Sequence, residues 1–238
     1  MRTVFGTMGT VASVDVRGGR ERAGLGAAQV AFETWEAEFS LFDPASPLSA
    51  VARGELALAD SGDWIRDVYT IALDWRRRTD GAFTPHRPDG VIDLDGVVKA
   101  LALADAGDAL DAAGIDDWCL NVGGDVLVRG RDGDRPWTAG VVDPDDRDRL
   151  LTAIPLDGSR RAIATSGRSE RGDHIWTRHA SADVRQATVV ADDIVTADVL
   201  ATALVAGADV DEVTERFGVD VLVAAGDGLR ASAPFRAG

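Results

Sequence analysis

Two pairs of short apolar runs are joined by glycine turns too tight for anything but a hairpin. Residues 117–122 and 125–129 are separated only by Gly123-Gly124, and 219–224 and 229–233 only by a turn through Gly226-Asp227-Gly228. A parallel crossover needs a dozen or more residues, so both pairs must run antiparallel. Further strand-like runs lie at 4–16, broken at Gly6-Thr7-Met8-Gly9-Thr10, and at 137–142, 151–155, 161–165 and 187–191. Apolar residues recur at helical spacing in 24–39 and again in 64–79, where Ile65, Val68, Tyr69, Ala72 and Trp75 share one face. The second of these ends in Arg76-Arg77-Arg78, cations that complement the dipole of a last helical turn. Helices are also expected over 96–113, with Gly114 as the C′ residue, and over 196–206 and 210–217. Residues 40–49, with Pro44 and Pro47, read as a loop, and 83–95 as irregular chain. Several strand pairs lack an intervening helix, so the fold class expected is α+β or mixed α/β rather than a doubly wound parallel sheet. With no repeat, low-complexity tract or linker, residues 1–238 read as one domain of mixed, largely antiparallel sheets and packed helices.

A formal net charge of −15 excludes the basic face that nucleic-acid binding requires, and it opposes adsorption to anionic membranes. Small anions remain possible ligands through a metal ion and backbone N–H groups, which no charge count includes. A 45% hydrophobic composition supplies a sizeable core. The single cysteine, Cys119, sits between Trp118 and Leu120 and reads as a small buried hydrophobe. The first residues lack the charged and apolar regions of a signal peptide, and no apolar run approaches ~18 residues. The expectation is a cytoplasmic protein without membrane insertion.

Of 25 basic residues 24 are arginine; the one lysine is Lys99, and the one asparagine is Asn121. A drift that replaced Lys by Arg nearly everywhere leaves lysine where a planar fork will not serve. Lys99 closes the run Asp93-Leu94-Asp95-Gly96-Val97-Val98-Lys99, which places carboxylates, free N–H groups and a cation at a helix start. Asp95 alone would make a good N-cap; a helix N-terminus is also an anion site. In Asn121-Val122-Gly123-Gly124-Asp125 the glycines suit either a tight turn or close approach to a ligand. Asp198 and Thr202, four apart, share one helical face, where a carboxylate and a hydroxyl suit Mg²⁺; a solvent-facing Thr beside an ordinary helix Asp is the plain alternative. His174 follows the Thr165-Ser166-Gly167 loop and is a candidate general base.

In order along the chain, these segments resemble the ApbE family, the FAD:protein FMN transferases. The resemblance rests on Met8-Gly9-Thr10, Phe39-Ser40-Leu41-Phe42, Thr79-Asp80-Gly81-Ala82-Phe83, the run from Asp93 to Lys99, Asn121 to Asp125, Thr165-Ser166-Gly167 and the run from Ala197 to Ala203. It implies a T-fold-like domain and Mg²⁺-dependent transfer of FMN from FAD, as substrate, onto a Ser or Thr of an acceptor flavoprotein, with release of AMP. Some relatives instead hydrolyse FAD to FMN and AMP, and a non-catalytic FAD carrier would share the same site. By resemblance, Asp198, Thr202 and the Gly96 carbonyl hold the metal. Met8, Phe42, Ala82, Phe83, Thr84, Asp93, Lys99 and Trp176 line the FAD site, and His174 is the base. Where the family usually continues Ile-Asp-Pro after that histidine, this chain reads Ile175-Trp176-Thr177, and Ala100 replaces the usual glycine after the lysine.

Overall fold

The structure, a computed structural model, describes residues 2–18, 21–158, 160–167, 184–232 and 235. The order of elements is β1 (Arg2–Thr7), β2 (Thr10–Val16), α1 (Glu21–Phe39), α2 (Pro47–Ala52), a short 3-10 turn (Leu58–Asp60), α3 (Asp63–Arg78) and α4 (Asp95–Ala112). Then come β3 (Trp118–Val122), β4 (Asp125–Arg129), β5 (Trp137–Val142), β6 (Leu150–Leu156), β7 (Ala162–Gly167), β8 (Val184–Ala191), α5 (Ile194–Val205), α6 (Val210–Phe217), β9 (Asp220–Ala225) and β10 (Gly228–Ala231).

Among the described residues, eight strands form one sheet in the order β1-β2-β3-β4-β7-β8-β9-β10, and β5 and β6 form a separate hairpin. Every pairing among these strands is antiparallel. The sheet parts two apolar cores. Alternate residues of the central strands, Leu127, Ala162, Ala164, Val189, Val221 and Val223, face a core shared with α1, α4 and α5. Their neighbours Val126, Val128, Ile163, Val190 and Leu222 face the β5–β6 hairpin through Trp137, Ala139, Val141 and Leu156. Period-two alternation thus serves both layers, which is why β4 and β9 read as continuous apolar runs.

The mixed, largely antiparallel α+β architecture is the one expected, and two local expectations are corrected. Residues 40–49 are not all loop. Ser46 caps α2 by accepting the Ser49 N–H at 3.0 Å, and Pro47 occupies the first helical turn, where its missing donor costs nothing. The N-cap of α4 is Leu94 rather than Asp95; Asp93 reaches forward instead, and its Oδ1 accepts the Asp95 N–H at 3.0 Å. Among the described residues no helix is long and apolar enough to cross a membrane.

Helix α5 positions the site. Ile194, Ala197, Val199, Leu200, Ala201, Ala203, Leu204 and Val205 are all buried, so the helix is apolar all round and lies between α4 and strands β7 and β8. Asp193 sets its start by accepting the Thr196 N–H at 2.8 Å. Within this apolar helix Asp198 is 3% exposed. A buried carboxylate needs partners, and the neighbouring elements supply them.

Candidate functional site

The partner of Asp198 comes from the first turns of α4. Lys99 Nζ lies 3.6 Å from Asp198 Oδ1 and forms a closer ion pair with Asp125 Oδ2. Asp125 opens β4, is 1% exposed, and accepts the Thr165 N–H of β7 on its other oxygen at 3.1 Å. One turn beyond Asp198, the Thr202 hydroxyl lies 3.1 Å from the Ser166 hydroxyl of β7. The Thr165 hydroxyl is bonded to that of Thr188 on β8 at 2.9 Å. Five separate stretches thus place one ammonium, two carboxylates and a row of hydroxyls at the seam of α4, α5, β4 and β7.

Local chemistry explains how each residue arrives there. Gly123 and Gly124 have φ of +58° and +98°, the left-handed geometry of a two-residue hairpin turn, and the Gly124 N–H donates to Asn121 Oδ1 at 3.1 Å. The turn reading of this pair is therefore sufficient, and its product is Asp125 held at the start of β4. A Cβ on Gly123 would also sit 2.9 Å from Thr10 Oγ1 of the neighbouring hairpin. Gly123→Ala should cost about 1–2 kcal/mol for the left-handed residue alone, measurable as a lowered urea midpoint; an unchanged midpoint would contradict the turn geometry.

The Thr79-Asp80-Gly81-Ala82-Phe83 motif builds one wall. The Thr79 hydroxyl donates to the Trp75 carbonyl at 2.8 Å and accepts the Phe83 N–H at 3.1 Å, while Asp80 and Gly81 carry φ of +51° and +84°. This knot drives Phe83 into the core at 3% exposure, against Gly96, where an added Cβ would come within 2.7 Å of the ring. Ala82, Thr84 and Asp93 are half-buried on the connection that follows, which Asp93 ties by donating its N–H to the Pro85 carbonyl at 2.9 Å. Met8 lies half-buried in the β1–β2 turn, at φ +50°.

Phe42 is 84% exposed, held outward by a loop in which Ser40 Oγ accepts the Phe42 and Asp43 N–H groups. The expected FAD-site residues are therefore not all gathered together: Phe83 and Gly96 touch, Lys99 joins the carboxylates, and Phe42 projects into solvent. His174 and Trp176 lie outside the described residues. Asp125 and Ser166 belong to motifs legible in the sequence, and Asp125 closes the stretch from Asp93 around which the site is expected, but neither is among the expected metal, FAD or catalytic residues. The signal for Asp125 was its place beside two glycines in an apolar surround; nothing in sequence separation links it to Lys99.

Two other reactive groups are quiet. Burial, followed by the charge of Asp15, pushes the Cys119 thiol up to about 12, so it is no nucleophile near neutrality. His86 shares a 2.9 Å hydrogen bond with the Tyr69 hydroxyl, and desolvation, then Arg76, lowers its pKa below the ordinary 6.5. The folded chain therefore holds its proton less tightly than the unfolded one. The stability His86 contributes is full above about pH 6.5 and is lost as the pH falls below it. An NMR titration of the ring should give a midpoint under 6.5; one above it would refute the desolvated environment.

The fold is that of several solved proteins. It matches an ApbE protein of Thermotoga maritima at TM-score 0.81, covering 99% of this chain and 98% of that one at 22% identity. It matches the flavin transferase ApbE of Vibrio cholerae at TM-score 0.78, with 99% and 98% covered at 21% identity. The apo flavinyl transferase ApbE of Pseudomonas stutzeri gives TM-score 0.80, with 100% and 97% covered at 19% identity. Fold and site together define a helix-covered antiparallel sheet with a lysine, two buried carboxylates and several hydroxyls clustered at one seam. The sequence model of the ApbE family matches residues 85–223, more than half of the chain, and the chain belongs to that family.

Segments of two curated relatives agree. One of 80 residues is 41% identical to the FAD:protein FMN transferase of Rhodobacter capsulatus and covers 34% of this chain and 15% of that protein. One of 81 residues is 32% identical to the FAD:protein FMN transferase of Klebsiella pneumoniae (strain 342), covering 34% and 23%. The match spans less than a quarter of either relative's length.

Proposed function

We propose that this chain transfers FMN from FAD to a Ser or Thr hydroxyl of an acceptor flavoprotein, in a Mg²⁺-dependent reaction that releases AMP. The observation that carries the proposal is the convergence of Lys99, Asp125, Asp198, Thr202 and Ser166 at one seam, in a chain of the ApbE family.

The donor chemistry suits a hard cation. Among the described residues no three His, Cys, Asp or Glu side chains gather as a metal-binding group. By family resemblance, a carboxylate from Asp198, a hydroxyl from Thr202 and the backbone carbonyl of Gly96 would hold Mg²⁺, a small all-oxygen set of the kind that binds it alongside waters and substrate phosphate. When bound, the cation would neutralise pyrophosphate charge and fix its orientation. Lys99 would face the same phosphates, and the Phe83 wall, with Met8, Ala82, Thr84, Asp93 and Trp176, would complete the FAD site; exposed Phe42 offers an aromatic face to a bound ring. In the transfer, the acceptor hydroxyl oxygen bonds to the FMN phosphorus, the bond from that phosphorus to the bridging oxygen breaks, and AMP departs with that oxygen. The hydroxyl proton passes to a base, a role assigned to His174 on family resemblance.

Purified protein with FAD, Mg²⁺ and a flavoprotein encoded nearby should release AMP and yield a flavin-fluorescent acceptor band. Free FMN appearing without acceptor would identify an FAD pyrophosphatase instead. Tight FAD binding with no AMP at high Mg²⁺ would identify a carrier.

A further inference from the structure

Lys99 pairs with two buried carboxylates at unequal distances, and the arrangement around Asp125 makes the Asp125 pair the closer one. The Lys99 ammonium pairs closely with Asp125 and lies 3.6 Å from Asp198 Oδ1. Asp125 is fixed at both ends: the Gly123-Gly124 turn sets its backbone, and the Thr165 N–H holds one carboxylate oxygen, aiming the other at Lys99. Asp198 belongs to a different element, α5, and shares its helical face with Thr202. A lysine carries three donors on a flexible stem, so a small torsional change suffices to carry its ammonium from one carboxylate to the other.

We propose that Asp125 is a positioning residue that draws the Lys99 ammonium towards itself and weakens its pair with Asp198, so that a divalent cation competes more easily for the Asp198 carboxylate. The proposal rests on the assignment of Asp198 to the metal made above. Asp198 already pairs with Lys99 at 3.6 Å, and without the Asp125 charge that pair tightens. The cation must then displace a more closely held ammonium before it binds. The same logic explains why lysine survives here in a chain otherwise served by arginine. Both carboxylates are almost fully buried, and the slot between them takes a compact charge rather than a planar fork.

The test is a Mn²⁺ titration of the full chain without FAD, followed by water-proton relaxation, on the parent, Asp125→Asn, the double variant Asp125→Asn/Lys99→Met and Asp198→Ala. Asp125→Asn should weaken Mn²⁺ binding by about 10-fold or more, the range typical when a group orienting a metal ligand is lost. The double variant, which removes the competing ammonium, should bind Mn²⁺ at least as tightly as the parent. Unchanged affinity in Asp125→Asn overturns the proposal. So does a double variant as weak as the single one, because a purely structural role for Asp125 is not repaired by removing Lys99. Asp198→Ala separates the layers: unchanged Mn²⁺ binding there, or none in the parent, overturns the metal assignment itself. Should Asp125→Asn not fold, the double variant against the parent still decides, since weaker binding in the charge-balanced double contradicts competition by Lys99.

Discussion

Replacing Asp198 by alanine should lower the rate of AMP release from FAD by on the order of 10³-fold, while the far-ultraviolet circular dichroism stays that of the parent. A cation on phosphoryl oxygen supplies several kcal/mol of transition-state stabilisation, and each 1.36 kcal/mol is a factor of ten in rate. The helix should survive the change. Alanine is the best helix former, the α5 start is set independently by Asp193, and the carboxylate removed lies in a helix otherwise held by apolar contacts on every side. Loss of activity with retained structure places the effect at the site. Turnover within a few-fold of the parent would detach Asp198 from the metal role.

The second large effect falls on stability. Lys99→Ala should destabilise the fold by about 3–5 kcal/mol, because it leaves Asp125 and Asp198 buried without the ammonium that pairs with the first and neighbours the second. For a chain of this length that corresponds to a melting temperature lower by about 10 °C. Adding Asp125→Asn to the lysine variant removes one stranded charge and should recover much of the loss, since replacing both members of a buried pair is far less costly than breaking it. Thermal melts of the parent, the single and the double variants measure the coupling directly. If the two substitutions cost the same together as the sum of each alone, Lys99 and Asp125 are not a pair in solution.

The two expectations share a cause. A buried ion pair is weak evidence for stability in itself, since apolar residues of like volume fill such space as well. Here the pair lies beside a second carboxylate and two hydroxyls, in a helix that could have been wholly apolar. The chain tolerates two buried carboxylates and a largely covered ammonium at one seam, and the proposed phosphate and metal site would give a reason for them.

Much of this was legible in the sequence because it rests on local chemistry. Gly123-Gly124 and the turn before β10 fixed antiparallel pairs whatever the rest of the chain did. Helical spacing placed α1 and α3, and Gly114 marked the end of α4 with its left-handed φ of +73°. The i, i+4 relation put Asp198 and Thr202 on one face. The local rules misled only where two were in competition. At Pro47 the proline signal for a loop coincided with the N1 position of a capped helix. At Asp95 a good capping residue stands one position inside the helix: Leu94 holds the N-cap place, and Asp93 reaches past it to accept the Asp95 N–H.

The pairings across the sheet and between layers were decided by tertiary structure alone. The sequence displayed Lys99, Asn121-Val122-Gly123-Gly124-Asp125 and Thr165-Ser166-Gly167 as separate curiosities. Nothing local states that β4 pairs with β7 while β5 and β6 fold away onto the opposite face, yet that topology brings the Thr165 N–H to Asp125. Nor does any local rule set α5 between α4 and the sheet, the placement that brings Asp198 to within 3.6 Å of Lys99. Chain pattern determines which elements form, because propensity, caps and turns act over a few residues. Burial of the two cores determines how the elements stack, because it acts on area irrespective of sequence distance. The antiparallel hairpins were written in the sequence; the seam that turns scattered residues into one site exists only in the packed molecule.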